Sequence, residues 1–551
     1  MEEHQSSCLT ETSETGEMDR ISHLPDSIVH HILSFLKTLD KELVRMSVLS
    51  KTWFHLTASF PVLDFRIHNF THLSRKSFFK YVDYTTSRFC HQNLVAHTFK
   101  LVTNLLEPAE LDIVNGCLQL LFQNGVRKLE IDFSDYTDYT NSPYVPKYCL
   151  PNTLLSISAL RSLTIYGCEL PSSLMVDTIK FKSLVYLELK RVRIDDEVIN
   201  YITTSCPLLQ GLRIKSCPGF KRFCVHGHQH LRRVSIYYHT PIERIDIATP
   251  NLYYLSIMDI NGRGAPRMNV ASCKKLTTVV YFGNPLLNSN GFSDFLSNFP
   301  FIKSLFLFSE YKCNNLILSS HSLRTLALWL NCDLEEIEFR TPKLVSFSYT
   351  CSFSRLSSMV MDKHWDLLRD STHFKACMHC YPGGYIDTLW FQKLRQFLDK
   401  KNGFKVFNLY IHGRYSQEFT ELEKLKEIKL PPYELELVVL QLETCEESPA
   451  HVAFVDAVLW CCRPRSLTLR SSSPLTALEE QSDVIKFTYE KLLQQEDQGR
   501  TNIQIVSPSF SSLSMALPLE GKAISFIKEE GTLFNQLTLY THSLPHMLIS
   551  I

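Results

Sequence analysis

Cysteine and histidine residues cluster at two places in the chain, and both residue types can bind a metal ion. Cys377–Cys380 holds two cysteines and a histidine after His373, and His226–His230 has a histidine at every second position. A closed zinc site needs four ligands, usually from two paired motifs. The first cluster lacks its second pair, and the second cluster is typical of a polar turn before a strand. We therefore predict no metal site and no cofactor.

No other spacing in the chain is typical of a catalytic site. A glycine-rich phosphate loop, a Gly-x-Ser-x-Gly turn and a His-Glu-x-x-His pair are all absent from the sequence, so phosphate binding, acyl transfer and zinc hydrolysis lack their usual residues. The Cys461-Cys462 pair is better explained as core thiols than as a nucleophile. We predict that the protein is not an enzyme and has no catalytic residues.

Composition and charge narrow the class of protein further. The chain has 551 residues, of which 44% are hydrophobic and 21% charged, and its 57 Lys and Arg equal its 57 Asp and Glu. A neutral chain of this length suits several domains or a solenoid and offers no overall positive field for nucleic acid. No stretch approaches the about eighteen apolar residues of a membrane span. We expect neither nucleic acid nor a membrane as a partner.

The N-terminal residues and the cysteines indicate a reducing compartment. Residues 1–20 are acidic with Arg20 as the only Lys or Arg, which is unlike a signal peptide. The seventeen cysteines are an odd number without a regular framework, whereas disulfide-bonded proteins usually have paired cysteines. We expect free thiols and a cytoplasmic or nuclear location.

The strongest motif is an apolar segment near the start of the chain. Its apolar residues lie on one broad face of a helix and on two shorter helical stretches: Leu24, Ile28, Ile32, Leu33, Leu36, Val44, Val48 and Trp53. Pro25 suits the first helical turn, where its missing N–H would have had no partner. A segment this small cannot bury so much apolar surface in a core of its own, so part of it should bind a partner.

This segment resembles an F-box over residues 20–65. The family pattern has Leu-Pro, an Ile three residues later, Ile-Leu, a closing Leu, and then Val-Ser-x-x-Trp or a near variant, which Ser47–Trp53 matches. The resemblance implies binding to a Skp-type adaptor and, through it, to a cullin complex. It assigns ten residues to this contact or to its support: Leu24, Pro25, Ile28, Ile32, Leu33, Leu36, Val44, Val48, Lys51 and Trp53.

One part of the segment departs from the F-box pattern. Plant F-boxes often have Pro-Thr-Lys-Asp after the first helix, whereas residues 37–42 read Lys-Thr-Leu-Asp-Lys-Glu, with Lys37 at the proline position. This longer loop could change the affinity for the adaptor or the choice of adaptor. The alternative to an F-box is a small helical subdomain that packs on the rest of the protein.

A repeated Leu-x-x-Leu-x-Leu pattern runs through the middle of the chain. Its central positions are 163, 187, 212, 234, 255, 279, 305, 326 and 347, at steps of 21 to 26 residues. An earlier copy covers 126–131, and weaker copies cover 406–411, 438–442 and 464–469. This period is that of leucine-rich repeats. In such repeats each strand buries its leucines and turns the intervening residues to the concave face of a parallel sheet.

Two further details of the repeats can be predicted. Cys168 and Cys217 fall just after their motifs, where leucine-rich repeats place a residue that bonds the backbone of the turn. Asp195–Thr204 has the pattern of a short helix between two strands. The remaining connections are expected to be irregular.

The predicted fold class is α/β, with an N-terminal helical F-box followed by a leucine-rich-repeat solenoid with a parallel concave sheet. The resemblance to plant F-box/leucine-rich-repeat proteins covers most of residues 20–495. The predicted domains are a disordered acidic N-terminus (1–19), the F-box (20–65), a helical linker that caps the solenoid (66–124), leucine-rich repeats (125–350), degenerate C-terminal repeats (351–495) and an unassigned tail (496–551).

The intervening strand positions carry basic residues and tyrosines against one acid, Glu188. They are Arg161, Arg213, Arg232, Arg233, Tyr253, Tyr254, Lys303 and Arg324. Arginine pairs with carboxylate or phosphate in a bidentate way, and tyrosine adds contact area with little loss of entropy. We predict that this patch binds an acidic or phosphorylated protein segment or a small anionic ligand. The alternative is a solvated face whose charges serve solubility.

The resemblance as a whole implies the substrate-recognition subunit of an SCF-type E3 ubiquitin ligase. In this interpretation the F-box binds the adaptor and the repeats bind a target protein for ubiquitination. Two alternatives are a ligand-sensing receptor and a leucine-rich-repeat scaffold without ligase coupling.

Overall fold

The structure is a computed structural model of the full chain, and it divides into two compact units, Met1–Phe220 and Lys221–Ile551. The described residues are 24–36, 39–70, 74–103, 107–133, 148–172, 174–175, 181–261, 264–285, 291–309, 315–330, 336–351, 358–361, 375–380, 391–392, 394–395, 407–412, 433–442, 448–471, 487, 502–507 and 524–528. The predicted N-terminal stretch 1–19 lies outside them.

The helices concentrate in the first unit, and several begin at a side chain that caps the free backbone N–H groups. They are α1 (Asp26–Leu33), α2 (Leu39–Ser47), α3 (Lys51–Ala58), α4 (Arg75–His91), α5 (Pro108–Asn124), α6 (Asp196–Ser205), α7 (Gly291–Ser297) and α8 (Ser448–Cys461), with 3-10 turns at Ile67–Phe70 and Asn152–Ser156. The Ser50 hydroxyl accepts the N–H of Trp53 at 3.1 Å at the start of α3. Asp195 does the same for Val198 at 2.8 Å, so the predicted helix at 195–204 is present as α6.

The first unit contains a parallel sheet of six strands in chain order. They are β1 (Val62–Arg66), β2 (Thr98–Val102), β3 (Lys128–Asp132), β4 (Ser162–Tyr166), β5 (Tyr186–Lys190) and β6 (Gly211–Lys215). The predicted motif residues are in register, because Leu163 pairs with Leu187 and Leu187 with Leu212. All three are at most 2% exposed, which is the burial that the repeat pattern requires.

The second unit continues the pattern with one long parallel sheet and two short ones. The strands of the long sheet are β8 (Arg233–Tyr238), β10 (Tyr254–Asp259), β12 (Thr278–Phe282), β13 (Ser304–Ser309), β15 (Thr325–Leu330), β17 (Ser346–Cys351), β19 (Lys375–Cys380), β20 (Phe407–His412), β21 (Tyr433–Leu442), β22 (Cys462–Ser471), β23 (Asn502–Ser507) and β24 (Ile524–Lys528). The short sheets contain β7 (Arg222–His226), β9 (Arg244–Ala248) and β11 (Arg267–Asn269), and β14 (Asn315–Ser319), β16 (Glu336–Arg340) and β18 (Ser358–Met361).

The parallel sheet of the first unit begins earlier than the repeat pattern predicts. The stretch 66–124, predicted as a helical linker, holds the helices α4 and α5, but β2 lies between them and pairs with both β1 and β3. The motif positions of β1 are occupied by the buried residues Phe60, Leu63 and Phe65. Those of β2 include the buried residues Ala96 and Phe99. Phenylalanine and alanine replace leucine at these positions, so the strands do not match a leucine motif although they fill the same sites.

Two strands also lie in the stretch 496–551, for which the sequence supported no assignment. β23 pairs in parallel with β22, and β24 pairs with β23. The weaker copies predicted at 406–411, 438–442 and 464–469 coincide with β20, β21 and β22. In the described part of the chain, no helix combines the length and the apolar character needed to span a membrane.

Candidate functional site

The N-terminal helices α1, α2 and α3 enclose a small core of their own. Val29, Leu33, Trp53, Leu56 and Phe60 are its buried residues, and four half-buried side chains pack against it, namely Leu36, Leu43, Met46 and Val62. The imidazole of His30 adds a polar tie, because its Nε2 lies 3.0 Å from the carbonyl oxygen of Leu56. The three helices therefore form one packed subdomain.

The same helices present a large apolar surface to solvent. The exposed fraction is 37% for Leu24, 46% for Ile28, 44% for Ile32, 53% for Val44 and 79% for Val48. Monomeric soluble proteins rarely expose contiguous apolar patches of large size, and such patches mark interaction sites. We call this set the apolar face of the helical subdomain.

The ten residues predicted to contact or support an adaptor separate into two groups. Pro25 and Lys51 are exposed with the apolar face. Leu33 and Trp53 are at most 8% exposed, and Leu36 packs against the core, so these three hold the surface in shape rather than form it. Residues 37 and 38 of the unusual loop lie outside the described residues, and α2 already begins at Leu39.

The helical subdomain is joined directly to the first strands. Only Ser59–Pro61 separate α3 from β1, and Val62 of β1 packs against the core of the helices. The guanidinium of Arg88 on α4 lies 5.7 Å from the ring centroid of Phe54 on α3 and 5.6 Å from that of Tyr84. Cation–π contacts of this kind contribute about 0.5–1 kcal/mol each at exposed sites.

The exposed face of the first unit's sheet is mixed in charge rather than basic. Arg213, predicted as part of a basic substrate-binding patch, lies 3.5 Å from Glu188, which also accepts the hydroxyl of Tyr186 at 2.9 Å. Gly211 gives the Tyr186 ring its space, because a Cβ there would approach the ring to 2.8 Å. Arg161 is exposed, immediately before β4. Its backbone N–H donates to the carbonyl of Arg127 at 2.8 Å.

An open cavity of about 370 Å³ lies on this face. Its lining residues are Lys128, Glu130, Asp132, Ser162, Thr164, Tyr166, Tyr186, Glu188 and Lys190. The Lys190 ammonium lies 3.7 Å from the centroid of the Tyr166 ring. Burial lowers the pKa of Lys190, which Asp132 and Glu188 partly offset. Burial and the neighbouring Lys190 lower the pKa of Lys215 on β6 to about 8.

The second unit carries the other six predicted residues along neighbouring strands. Arg233 donates from Nε to the hydroxyl of Tyr253, and its guanidinium lies 5.3 Å from the centroid of that ring. Arg233 also pairs in register with Tyr254 of β10. Arg232, Lys303 and Arg324 are exposed just before their strands. The N–H of Arg324 donates to the carbonyl of Lys303 at 2.8 Å, so these two lie side by side.

Comparisons with known proteins identify both halves of this arrangement. The F-box domain matches residues 21–65, and the LRR repeats of FBD-associated F-box protein At5g56370 match residues 114–290. F-box/LRR-repeat protein At3g59190 of Arabidopsis thaliana is 30% identical over 282 residues, which cover 47% of this chain and 67% of that protein. The chain belongs to the plant F-box/LRR-repeat family.

Other relatives agree with this assignment over shorter parts of their length. F-box/LRR-repeat protein At5g02910 of Arabidopsis thaliana is 28% identical over 279 residues, covering 50% of this chain and 56% of that protein. F-box/LRR-repeat protein 25 of the same plant is 28% identical over 246 residues, covering 44% of this chain and 86% of that protein. The chain therefore spans about half the length of At5g02910. The family resemblance and the fold class predicted from the sequence are confirmed.

Membership in the F-box/LRR-repeat family gives the helical subdomain a general role. An F-box domain implies binding to a Skp-type adaptor, and proteins of this family are typically non-catalytic adaptors. The apolar face of the helical subdomain lies within the residues that match the F-box domain.

Several exposed or half-buried residues of the F-box/LRR-repeat protein were missing from the prediction. Phe35 and Leu49 are 73% and 67% exposed beside the apolar face. Phe282, Phe308 and Trp329 lie on the exposed face of the second unit, at the last position of β12 and next to last in β13 and β15. Each directly follows the final motif residue of its repeat, a position that inspection of the residues between the motif leucines leaves out.

The histidine cluster of the F-box/LRR-repeat protein has structural partners. Nδ1 of the buried His228 accepts the N–H groups of His230 and Leu231 at 3.2 and 3.1 Å, and His226 lies 3.3 Å from Asp246. Burial alone would raise the pKa of Asp246, but hydrogen bonds from His226 and Arg244 lower it. His373 and the side chains of 375–380 lie outside the described residues. Among those described, no group of His, Cys, Asp and Glu is arranged to hold a metal.

The cysteines after the repeat motifs have the structural role predicted for them. The thiol of Cys217 lies 3.3 Å from the carbonyl oxygen of Leu189, and that of Cys168 lies 3.4 Å from the carbonyl of Tyr166. Burial raises the pKa of Cys217 to about 12, so this thiol stays protonated and does not act as a nucleophile at neutral pH.

Proposed function

We propose that this protein is the substrate-recognition subunit of an SCF-type E3 ubiquitin ligase. The F-box binds a Skp-type adaptor and thereby a cullin complex, and the exposed face of the repeats binds a target protein. The observation that carries the proposal is the apolar face of the F-box, because these side chains remain exposed although the helices below them have a packed core. A partner that covers this face removes it from water.

The protein itself supplies no chemistry in this proposal. It holds a target near the ubiquitin-loaded enzyme of the complex, so that transfer becomes an intramolecular event at a high effective concentration. The direct packing of the F-box on β1 supports this role, because a firm connection fixes the position of the first repeats relative to the adaptor.

We place the protein in the cytoplasm or the nucleus. Ten cysteines in the described ranges are free thiols, and eight of them are buried. Buried unpaired thiols suit a reducing compartment.

Copurification of the full chain with a purified Skp-type adaptor tests the proposal. The wild type is compared with Leu24→Ala/Pro25→Ala, which removes apolar contact at one end of the apolar face, and with Met175→Ala, an exposed apolar residue of the repeats that is 44% exposed. We expect the wild type and Met175→Ala to retain the adaptor and the double variant to lose most of it.

Circular dichroism establishes that all three proteins are folded. A folded wild type that does not retain the adaptor would remove the ligase proposal and leave a leucine-rich-repeat scaffold. Equal retention by the double variant would show that the adaptor binds elsewhere.

A further inference from the structure

A column of aromatic rings crosses three neighbouring strands on the exposed face of the second unit. Phe282, Phe308 and Trp329 pair in register on β12, β13 and β15. Their ring centroids are 6.3 and 5.7 Å apart at interplanar angles of 28° and 30°. All three rings are half-buried. We call these three residues the aromatic column.

A second apolar row lies beside the aromatic column. Val280, Phe306 and Ala327 pair in register two residues earlier on the same strands and are half-buried. Because alternate residues of a strand point to the same side, this row and the aromatic column form one continuous apolar surface. Such a surface suits the large apolar side chains of a partner.

A basic rim borders the same strands at their other end. Lys303 and Arg324 are exposed immediately before β13 and β15, and within the described ranges neither side chain makes an ion pair. Ser304 and Thr325 lie between the rim and the apolar rows. At about 3.3 Å per residue, the rim lies roughly 10 Å from the Phe306 row and roughly 16 Å from the aromatic column.

We propose that this face binds an extended segment of the target protein in which acidic residues lie about three to five residues from large apolar ones. The apolar side chains pack on the aromatic column and the Phe306 row, and the carboxylates pair with Lys303 and Arg324. The hydroxyls of Ser304 and Thr325 hydrogen-bond the polar backbone of the segment. The inference rests on the proposed function, since it names the class of target that the ligase would receive.

The stacking within the aromatic column favours a protein segment over single-stranded RNA. Bases stack on free ring faces, whereas the rings of the aromatic column lie against one another at 6.3 and 5.7 Å and leave no room for a base between them. The chain as a whole has no net charge. The two cations of the rim suit a short acidic stretch.

Pools of fluorescent peptides with fixed acidic and apolar residues test the proposal with the full chain. Each fluorescent peptide carries two acidic residues and a Trp-Leu pair, with a randomised spacer whose length varies from none to about eight residues. Two probes serve as comparisons. One is a charge-reversed pool, in which Lys replaces the acidic residues, and the other is a poly-uridine oligonucleotide. Fluorescence anisotropy measures binding to the wild type and to each variant.

We expect the tightest binding at spacers of about three to five residues. Phe308→Ala/Trp329→Ala should weaken it by at least about tenfold, and Lys303→Glu/Arg324→Glu by about tenfold at low salt and less at high salt. Phe308→Leu/Trp329→Leu keeps apolar area and should retain part of the affinity, so it replaces the alanine variant if that variant does not fold. Phe301→Ala and Lys343→Glu, which change exposed residues outside the face, should bind like the wild type.

The proposal is overturned if no acidic pool binds better than the charge-reversed pool. It is also overturned if binding of the oligonucleotide depends on Phe308 and Trp329 to the same extent. It is also overturned if the variants of the face and the two controls bind equally. Adaptor binding by the same preparation is measured in parallel. Peptide binding without adaptor binding would reject only the ligase proposal, and adaptor binding without peptide binding would reject only this inference.

Discussion

Removal of exposed side chains from the apolar face should weaken adaptor binding without unfolding the F-box. Ile28, Ile32 and Val48 are 46%, 44% and 79% exposed. Alanine removes three carbons from each isoleucine and two from valine, and each buried carbon is worth about 0.8 kcal/mol. Scaled by the exposed fractions, the loss is about 1.1 kcal/mol for each isoleucine and about 1.3 kcal/mol for Val48. The triple variant should therefore raise the adaptor Kd roughly 300-fold.

Val29 and Leu33 provide the matched controls, since each is the neighbour of a surface residue but is at most 1% exposed. Val29→Ala and Leu33→Ala leave the surface side chains in place and create cavities, which lowers the free energy of unfolding by about 1–5 kcal/mol. Isothermal titration calorimetry with purified adaptor measures Kd, and thermal unfolding by circular dichroism measures stability. The triple variant should raise Kd and also lower stability by up to about 3 kcal/mol, because the remaining fractions of these side chains are buried, whereas the core variants should change stability first.

The reasoning is refuted if the triple variant remains folded and its Kd rises by less than about tenfold. In that case the adaptor does not cover the exposed fractions of these side chains, and the apolar face of the F-box has another purpose.

Three further outcomes follow from the structure. Leu326→Ala, at a position that is 0% exposed, should lower the free energy of unfolding in urea by about 2–5 kcal/mol, against less than about 1 kcal/mol for Leu49→Ala, whose side chain is 67% exposed; similar losses would contradict the burial. Glu110 binds Arg75 at 2.6 and 2.7 Å and accepts the N–H of Glu107 at 2.9 Å. Glu110→Ala should therefore destabilise by about 2 kcal/mol and Glu110→Gln by less, measured by thermal unfolding; equal losses would argue against the charge. Burial lowers the pKa of Lys215 to about 8, below its unfolded value of about 10.5, so between these values the unfolded chain binds more protons and stability rises with pH. The rise in urea midpoint that Lys215→Met causes at about pH 7 should shrink by about pH 10, and a constant difference would disprove the shift.

The regular part of the fold follows from the sequence because one residue type marks it. Each predicted motif centre from Leu163 to Phe347 is at most 2% exposed in a strand. The strands around Phe65 and Phe99 escape the pattern because the site selects volume and apolar character, which phenylalanine supplies as well as leucine. The short sheets β7–β9–β11 and β14–β16–β18 also escape it, since their strands lie in connections whose lengths vary.

The candidate sites were harder to predict than the fold, because exposure depends on packing. Ile32 and Leu33 are both apolar and adjacent, yet one is 44% exposed and the other 1%, and only the three-helix core decides which is which. Arg213 was predicted as part of a basic patch that binds an anionic partner, but Glu188 of the neighbouring strand lies 3.5 Å away. The register between neighbouring strands determines such pairs. A single sequence predicts the strands but not which side chains lie opposite each other on adjacent strands.

The short passage from α3 into β1 has a mechanical consequence. The connection Ser59–Pro61 is too short to act as a flexible hinge. Val62 of β1 packs on the core of the F-box helices, and Arg88 of α4 contacts Phe54 of α3. If a partner rotates the F-box, β1–β6 therefore rotate with it through the same angle. Any part of a target protein that contacts β1–β6 would therefore follow this rotation, and only the lysines that the rotation brings close to a stationary reactive group would be within its reach. The position at which the target protein binds would then determine which of its lysines can be modified.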